Sequence, residues 1–136
     1  MWRDESLARV PLVKSETERL SSLWRGFGEE EWNRETFCPG WTAAHTISHV
    51  TTGGDFYGNS IRRAIDGLPS EPPYGKDAKE FWAIRKVKGD ELMALPRGEM
   101  MDIFDSSAAK LQIELERITD GDLDKLAGEL SNILGW

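Results

Sequence analysis

One stretch sets the fold class of this chain: TAAHTISHVTTGGDFYGNSIRRAIDGL, residues 42–68. Apolar or small side chains recur in it at intervals of three and four residues, which is the spacing of one face of an α-helix. They are Ile47, Val50, Gly54, Tyr57, Ile61, Ala64 and Leu68. Thr42 is a residue type that caps helix N-termini, and Gly67 followed by Pro69 is typical of a helix end. The pattern therefore predicts a long amphipathic helix near residues 42–67.

The same spacing recurs on both sides of this stretch. Before it, a helix is predicted near residues 8–27, on Val10, Val13, Leu20, Trp24 and Phe27. After it, a helix is predicted near residues 97–119, on Met100, Phe104, Ala108, Leu111, Leu115 and Ile118. No segment shows the strict alternation that is typical of a half-buried strand. The predicted fold class is therefore an all-α, up-and-down helical bundle.

Shorter elements are predicted between and after the long helices. Residues 29–35 are acidic and polar around one Trp, which predicts a turn with a buried anchor. A short helix with an aromatic side is predicted from Ala78, ended by Gly89 or Pro96. A last short helical pattern covers Leu123–Ile133.

The composition bounds the class of protein. The chain has 136 residues, which is the size of one domain, and 39% of them are hydrophobic. Its net charge of -7 repels phosphate backbones and anionic lipid headgroups, so we expect neither nucleic acid nor a membrane as a partner. Cys38 is the single cysteine, and the charged N-terminus lacks an apolar signal core. Both observations favour the cytoplasm.

His45 and His49 are the two histidines, and they lie four residues apart on the predicted helix of residues 42–67. This spacing places both imidazoles on one face, as a metal site would require. The zinc-peptidase pattern needs a Glu directly after the first His, and Thr46 stands there. For an isolated pair of histidines we favour a structural interpretation over a metal site: one His caps the helix or packs, and the other is solvated.

The segment before this helix contains a possible nucleophile and a large aromatic residue. A thiol near a helix N-terminus can be activated, but Cys is more often simply buried, so we predict that Cys38 packs in the interior. Trp41 is predicted to be mostly buried where this loop meets the bundle. Gly53 and Gly54 inside the helix predict close packing of a neighbouring helix.

The block from Trp32 to His49 carries a resemblance to a known family. Trp32 is followed by C-P-G-W-T at residues 38–42, and His49 lies eight residues after Trp41. This resembles the opening motif of mycothiol-dependent maleylpyruvate isomerase metal-binding domains, members of the DinB-like four-helix bundle superfamily. In that family the His at this place binds a divalent metal, so the resemblance implies that His49 is a ligand and points toward the bundle interior. His45 stands where the family commonly carries an acidic residue, and no role carries over to it.

A weaker likeness continues from Phe81 to Leu123. The resemblance implies a thiol-dependent, metal-assisted isomerase or transferase, and it assigns no catalytic residue. Its cofactors would be a divalent metal, zinc or nickel, and mycothiol or a similar low-molecular-weight thiol. The thiolate would add to an electrophilic substrate with a cis double bond conjugated to a carbonyl, and rotation followed by elimination would give the trans isomer.

One departure from the family bears on the metal site. The family takes its remaining ligands from a later helix that carries a further His, and no histidine follows His49 in this sequence. We therefore expect residues 1–136 to be the N-terminal portion of a longer DinB-like domain, lacking or truncating the last long helix. The alternatives are a metal-free helical module that binds a partner or forms a homodimer through its open groove without catalysis, and a metal-binding protein without turnover.

Overall fold

Six α-helices and one 3₁₀ turn make up the structure, a computed structural model that describes residues 2–125. They are α1 (Trp2–Ala8), α2 (Val10–Arg25), α3 (Glu29–Asn33), α4 (Ala43–Ile65), α5 (Ala78–Met93), α6 (Arg97–Glu116) and the 3₁₀ turn Asp120–Asp122. No strand occurs within residues 2–125, so the prediction of an all-α helical bundle is confirmed. None of the helices in this range is long and apolar enough to cross a membrane.

The helix predicted near residues 8–27 is α2, and a further short helix, α1, precedes it. α1 ends at Ala8 and α2 begins at Val10, with Arg9 at the junction between them. Pro11 lies in the first turn of α2. That position is compatible with proline because the N–H that proline lacks has no partner within the helix there.

The other two long helices lie where the spacing predicts them. α4 fits the range predicted near residues 42–67, and Gly67 follows it with a φ of 66°. Glycine adopts this left-handed conformation without steric cost, which suits a helix end. α6 begins at Arg97 and ends at Glu116, short of the predicted end. The last helical pattern is predicted at residues 123–133, and from residue 126 onward it lies outside the described residues.

The shorter segments differ more from the prediction. Residues 29–35 were expected to form a turn, but they contain the helix α3. The helix expected to be short and broken at Gly89 or Pro96 is α5, which passes through Gly89 and ends at Met93. Packing explains why this glycine does not end the helix, because Ser48 Oγ donates a hydrogen bond to the Gly89 carbonyl oxygen at 3.1 Å and holds α5 against α4.

α4 occupies the centre of the bundle. It packs against both α5 and α6, and α2 packs against α6. The main cluster of buried side chains consists of Trp24, Ala43, Ile47, Leu92, Met100, Met101 and Phe104. The Trp24 and Phe104 rings meet edge to face with centroids 5.3 Å apart. Met100 and Phe104 thus belong to the core, as the spacing predicts. Trp32, the predicted anchor, is partly buried against this cluster.

The buried face of α4 coincides only in part with the apolar stripe that the sequence predicts. Ile47, Ile61 and Ala64 are buried, but Val50, Tyr57 and Leu68 from the same stripe are exposed. Small hydroxyl residues are buried in their place, and they are Ser48, Thr51, Thr52 and Ser60. Most of these hydroxyls donate to the carbonyl oxygen four residues earlier, so the helix satisfies them without any partner from outside. Because α4 packs against both α5 and α6, its buried surface is wider than a single apolar stripe.

Glycines bring α4 close to α6, as the sequence predicts. A Cβ at Gly54 would lie 3.3 Å from Ser107 Oγ, and a Cβ at Gly58 would lie 3.7 Å from Leu111 Cα. Gly53 faces the other neighbour, because a Cβ there would lie 3.5 Å from a guanidinium nitrogen of Arg85 on α5. The helix-propensity cost of these glycines, up to about 1 kcal/mol each, is offset by close helix packing.

Candidate functional site

The C-P-G-W-T loop forms a fixed turn before α4. The Trp41 N–H donates to the Cys38 carbonyl oxygen at 3.0 Å, and the Thr36 N–H donates to the Trp41 carbonyl oxygen at 2.7 Å. Gly40 has a φ of 77°, as the third residue of a type II β-turn requires, and glycine adopts this conformation without strain. The Glu35 carboxylate accepts the Gly40 N–H at 2.7 Å. These bonds determine where the Trp41 ring meets the first turns of α4.

Two side chains of this loop are less buried than predicted. Trp41 is half-buried, and its ring lies against the rings of His45 and His49 at centroid distances of 6.3 and 5.2 Å. Cys38 is exposed, so the prediction that it packs in the interior is wrong. The physical reason is that the loop satisfies its backbone hydrogen bonds within itself and lies outside the helix packing. It therefore carries its side chains at the surface.

His45 caps the helix on which it lies. Its Nδ1 accepts the backbone N–H of Thr42 at 3.1 Å, in the reciprocal arrangement of a capping box, and Thr42 is the N-cap as predicted. Nδ1 must be unprotonated to accept this bond, so the neutral ring carries its proton on Nε2. Ligation of a metal through Nε2 would move that proton to Nδ1, directly against the Thr42 N–H. The capping role therefore competes with metal ligation.

His49 lies one turn further along α4 at the edge of a groove. The residue is exposed in an open groove. The expectation that it points toward the bundle interior, on the side where a later helix of the family would pack, stays a prediction. Arg85 on α5 approaches the ring, with Nη2 3.4 Å from His49 Nδ1 and 3.1 Å from the His49 carbonyl oxygen. Loss of solvent around the ring, and secondly the Arg85 charge, lower the pKa of His49 from its ordinary value. The ring is therefore neutral at pH 7 and has a nitrogen lone pair available.

Two adjoining grooves meet at His49, Trp82 and Arg85. One has a volume of about 390 Å³, lies between α4 and α5, and is also lined by Trp41 and His45. The other, of about 320 Å³, is bounded by α4, α5 and α6, and its lining includes Val50, Gly53, Gly54, Phe56, Tyr57, Phe81 and Leu111. We refer to the two together as the His49 groove. Its walls are mainly apolar and aromatic, a common property of sites for small molecules.

A larger groove lies elsewhere on the bundle. Its volume is about 530 Å³, and it runs between α2 and α6. Among residues 2–125, no imidazole, thiol or aromatic side chain lines it. Volume alone does not indicate chemistry, so we place the candidate site at the His49 groove.

The described residues do not by themselves fit a metal ion. Among residues 2–125 no three His, Cys, Asp or Glu side chains come close enough together to hold one. His45 is engaged in the helix cap, and the nearby Asp90 is paired with Lys86 at 2.7 Å. Of the groove-lining side chains within residues 2–125, this leaves only His49 available, whereas a catalytic zinc site usually has three protein ligands. The Arg85 guanidinium beside its ring is also unfavourable to a second cation.

The family model of the mycothiol maleylpyruvate isomerase N-terminal domain matches residues 13–130 of this chain. The chain belongs to this family. The match contains most of α2 and all of α3 to α6, and therefore the C-P-G-W-T loop and the whole of the His49 groove. It confirms the resemblance that the sequence indicates. Neither a curated protein nor a solved structure matches the chain.

The structure adds two residues to the site that the sequence analysis did not assign to it. Trp82 and Arg85 lie on α5, and the sequence places them on a helix with an aromatic side but gives no reason to connect them with His49. The guanidinium of Arg85 stacks on Trp82, with its carbon 5.2 Å from the ring centroid. Their one sequence signal is the spacing of three residues, which puts both side chains on the same helix face.

Proposed function

We propose that this chain acts as a thiol-dependent isomerase or transferase on a small electrophilic substrate, with mycothiol or a similar low-molecular-weight thiol. The observation that carries the proposal is the position of the C-P-G-W-T loop, which lays Trp41 on the His49 ring at the mouth of an apolar groove. Membership of the maleylpyruvate isomerase family supports the reaction class. A thiol cofactor requires a reducing compartment, so we also propose the cytoplasm, in agreement with an exposed and unpaired Cys38.

Each side chain of the groove has a role in this proposal. Trp41 packs on the His49 ring and restricts its rotation. The aromatic walls exclude water from part of the groove, which strengthens electrostatic interactions inside it. The lowered pKa of His49 keeps its ring neutral at pH 7, so that one nitrogen can accept a proton or bind a cation.

We also propose that His49 is one ligand of a divalent metal, zinc or nickel. A metal bound here would stabilise the thiolate form of the thiol cofactor. Because the described residues supply one imidazole, the other donors must come from outside them or from solvent and thiol. Metal binding at His49 requires a test of its own, apart from the thiol reaction.

Metal binding can be tested with three forms of the chain: wild type, His49→Ala and His45→Gln. Zinc is titrated while the histidine ring nitrogens are followed by NMR. We expect zinc to shift the His49 resonances, His49→Ala to abolish saturable binding, and His45→Gln to leave the affinity within about twofold because glutamine can keep the helix cap. Binding that survives His49→Ala, or that is lost in His45→Gln, would contradict the assignment.

The reaction is tested separately. Maleylpyruvate is incubated with the protein, zinc and mycothiol, and cis-to-trans conversion is measured against a reaction without the thiol. Conversion that requires both the thiol and His49 supports the proposal, whereas conversion at the same rate without the thiol contradicts it.

A second candidate function is a metal-free interaction module. The observation that favours it is that large apolar side chains lining the His49 groove are exposed, with Val50, Tyr57 and Trp82 at 38%, 48% and 52% exposure. Such a face could bury itself against a second copy of the chain. Sedimentation that shows a dimer in the absence of metal and thiol, and loss of that dimer in Tyr57→Glu, would favour this function over the enzymatic one.

A further inference from the structure

Arg85 lies in the His49 groove and has no carboxylate partner within residues 2–125. Its Nε donates to Thr52 Oγ1 at 3.0 Å, and its Nη2 donates to the His49 carbonyl oxygen at 3.1 Å. Its Nη1 forms no hydrogen bond with any of residues 2–125, and no Asp or Glu in that range forms an ion pair with the guanidinium. The contact between Nη2 and His49 Nδ1, at 3.4 Å, is too long to be a strong hydrogen bond.

Half-buried arginines among residues 2–125 are satisfied in two ways. The Arg63 side chain is 17% exposed, and its guanidinium pairs with the Glu71 carboxylate at 2.9 Å. Arg97 instead donates to backbone carbonyl oxygens and lies over an aromatic ring, and Arg85 follows this second pattern while also lining a groove. A guanidinium that is removed from bulk water without an anion loses solvation that a bound carboxylate could replace.

The geometry also fixes the direction in which Arg85 could bind. Nε and Nη2 are tied to α4, so the guanidinium plane is held, and its Cζ lies 5.2 Å from the Trp82 ring centroid. Nη1, which has no acceptor among residues 2–125, remains as a donor in the groove. A positively charged N–H donor held in a fixed plane suits a carboxylate, which accepts short, charge-assisted hydrogen bonds. The aromatic walls beside it offer contact to a planar, conjugated group attached to the carboxylate.

We propose that Arg85 is the carboxylate-binding residue of the His49 groove, and that it takes a small conjugated carboxylic acid whose planar part lies against Trp82. Insofar as this carboxylate belongs to the electrophilic substrate, the inference rests on the proposed function. The binding itself requires neither metal nor thiol. Arg85 would then orient the substrate beside His49 and would act as a positioning residue.

The test uses benzoate, a planar conjugated carboxylate without a reactive double bond, and benzamide, its uncharged counterpart. Both are titrated into the full chain by NMR in the presence of a chelator. We expect benzoate to bind and to shift the Arg85 Nε and Trp82 indole resonances, with benzamide at least about tenfold weaker because it lacks the charge. Arg85→Gln should weaken benzoate binding by about tenfold or more while benzamide binding is unchanged.

Two further variants make the result specific. Arg62 lies on α4 outside the His49 groove and contacts Asn59 Oδ1 at 3.2 Å. Arg62→Gln also removes one positive charge, and it should leave benzoate affinity within about twofold. Arg85→Lys keeps the charge but lacks the fork, and it should bind benzoate with intermediate affinity. It also provides a folded reference if Arg85→Gln unfolds, which far-UV circular dichroism would reveal.

Three results would overturn the proposal. They are equal weakening by Arg62→Gln and Arg85→Gln, equal affinity for benzoate and benzamide, and wild-type affinity in a folded Arg85→Gln. Because the chelator removes metal and no thiol is present, these results are distinct from a failure of the thiol reaction or of zinc binding at His49. Carboxylate binding at Arg85 with no zinc binding would support this inference while removing the metal proposal.

Discussion

Replacing Gly89 with alanine tests how closely α4 and α5 approach at the groove that contains Arg85. A Cβ at Gly89 would lie 2.9 Å from Ser48 Oγ, and no other atom of α4 lies within 4 Å of it. The hydroxyl donates to the Gly89 carbonyl oxygen, so it cannot turn away without losing that bond. Overpacking of this kind costs about 1–3 kcal/mol, and the higher helix propensity of alanine offsets up to about 1 kcal/mol. We expect a net loss of about 1–2 kcal/mol in the free energy of unfolding.

The assay is urea unfolding of four forms: wild type, Gly89→Ala, Ser48→Ala and the double variant. Ser48→Ala alone should cost about 1 kcal/mol, since one hydrogen bond is lost. In the double variant the atom that clashes is gone, so it should be less destabilised than the sum of the two single changes. Gly98→Ala is the matched control, because its Cβ would meet nothing within 4 Å, and it should stabilise the chain by up to about 1 kcal/mol.

Gly89→Ala and Gly98→Ala are therefore expected to change the free energy of unfolding in opposite directions. If Gly89→Ala stabilised the chain as much as Gly98→Ala, α5 would not lie as close to α4 as the structure has it. Strict additivity of Ser48→Ala and Gly89→Ala would likewise refute a clash between these two side chains. Either result would also weaken the positions given to Trp82 and Arg85, because both are carried by α5.

The remaining predictions concern the two histidines. His45→Ala should lower the free energy of unfolding by about 0.5–2 kcal/mol in urea, whereas His45→Gln should retain most of it because glutamine at this position completes a capping box; equal losses would contradict the capping role. For His49, an NMR titration should give a midpoint below the ordinary histidine pKa of about 6.5, since partial desolvation and the Arg85 charge lower the pKa. The unfolded chain then binds the proton more readily, so the contribution of His49 to stability is present above the ordinary pKa and is lost as pH falls. Arg85→Gln should raise the midpoint only in part, because desolvation is the larger cause, and a lower midpoint in that variant would argue against the contact.

The helices and their approximate ends could be predicted from the sequence because both depend on local rules. A spacing of three and four residues requires only that one face of a helix be apolar, and α4 and α6 follow it closely. Thr42 as a cap and Gly67 as a terminator depend on backbone geometry within a few residues. The C-P-G-W-T block is likewise local, and it was enough to indicate the family that matches residues 13–130.

Properties that depend on two helices could not be predicted in this way. The sequence places Val50 and Tyr57 on the apolar face of α4, yet both are exposed. The faces of α4 that pack against α5 and α6 carry small hydroxyl side chains instead. The resemblance singles out His49, but the helical spacing does not say that His45 caps the helix, since that role depends on the path of the loop before α4. The sequence by itself determined the helical class, the family and the pair of histidines. Only the tertiary structure decided that Arg85, distant in the chain, lies beside His49, because a side chain finds its neighbours across the groove only after the helices have packed.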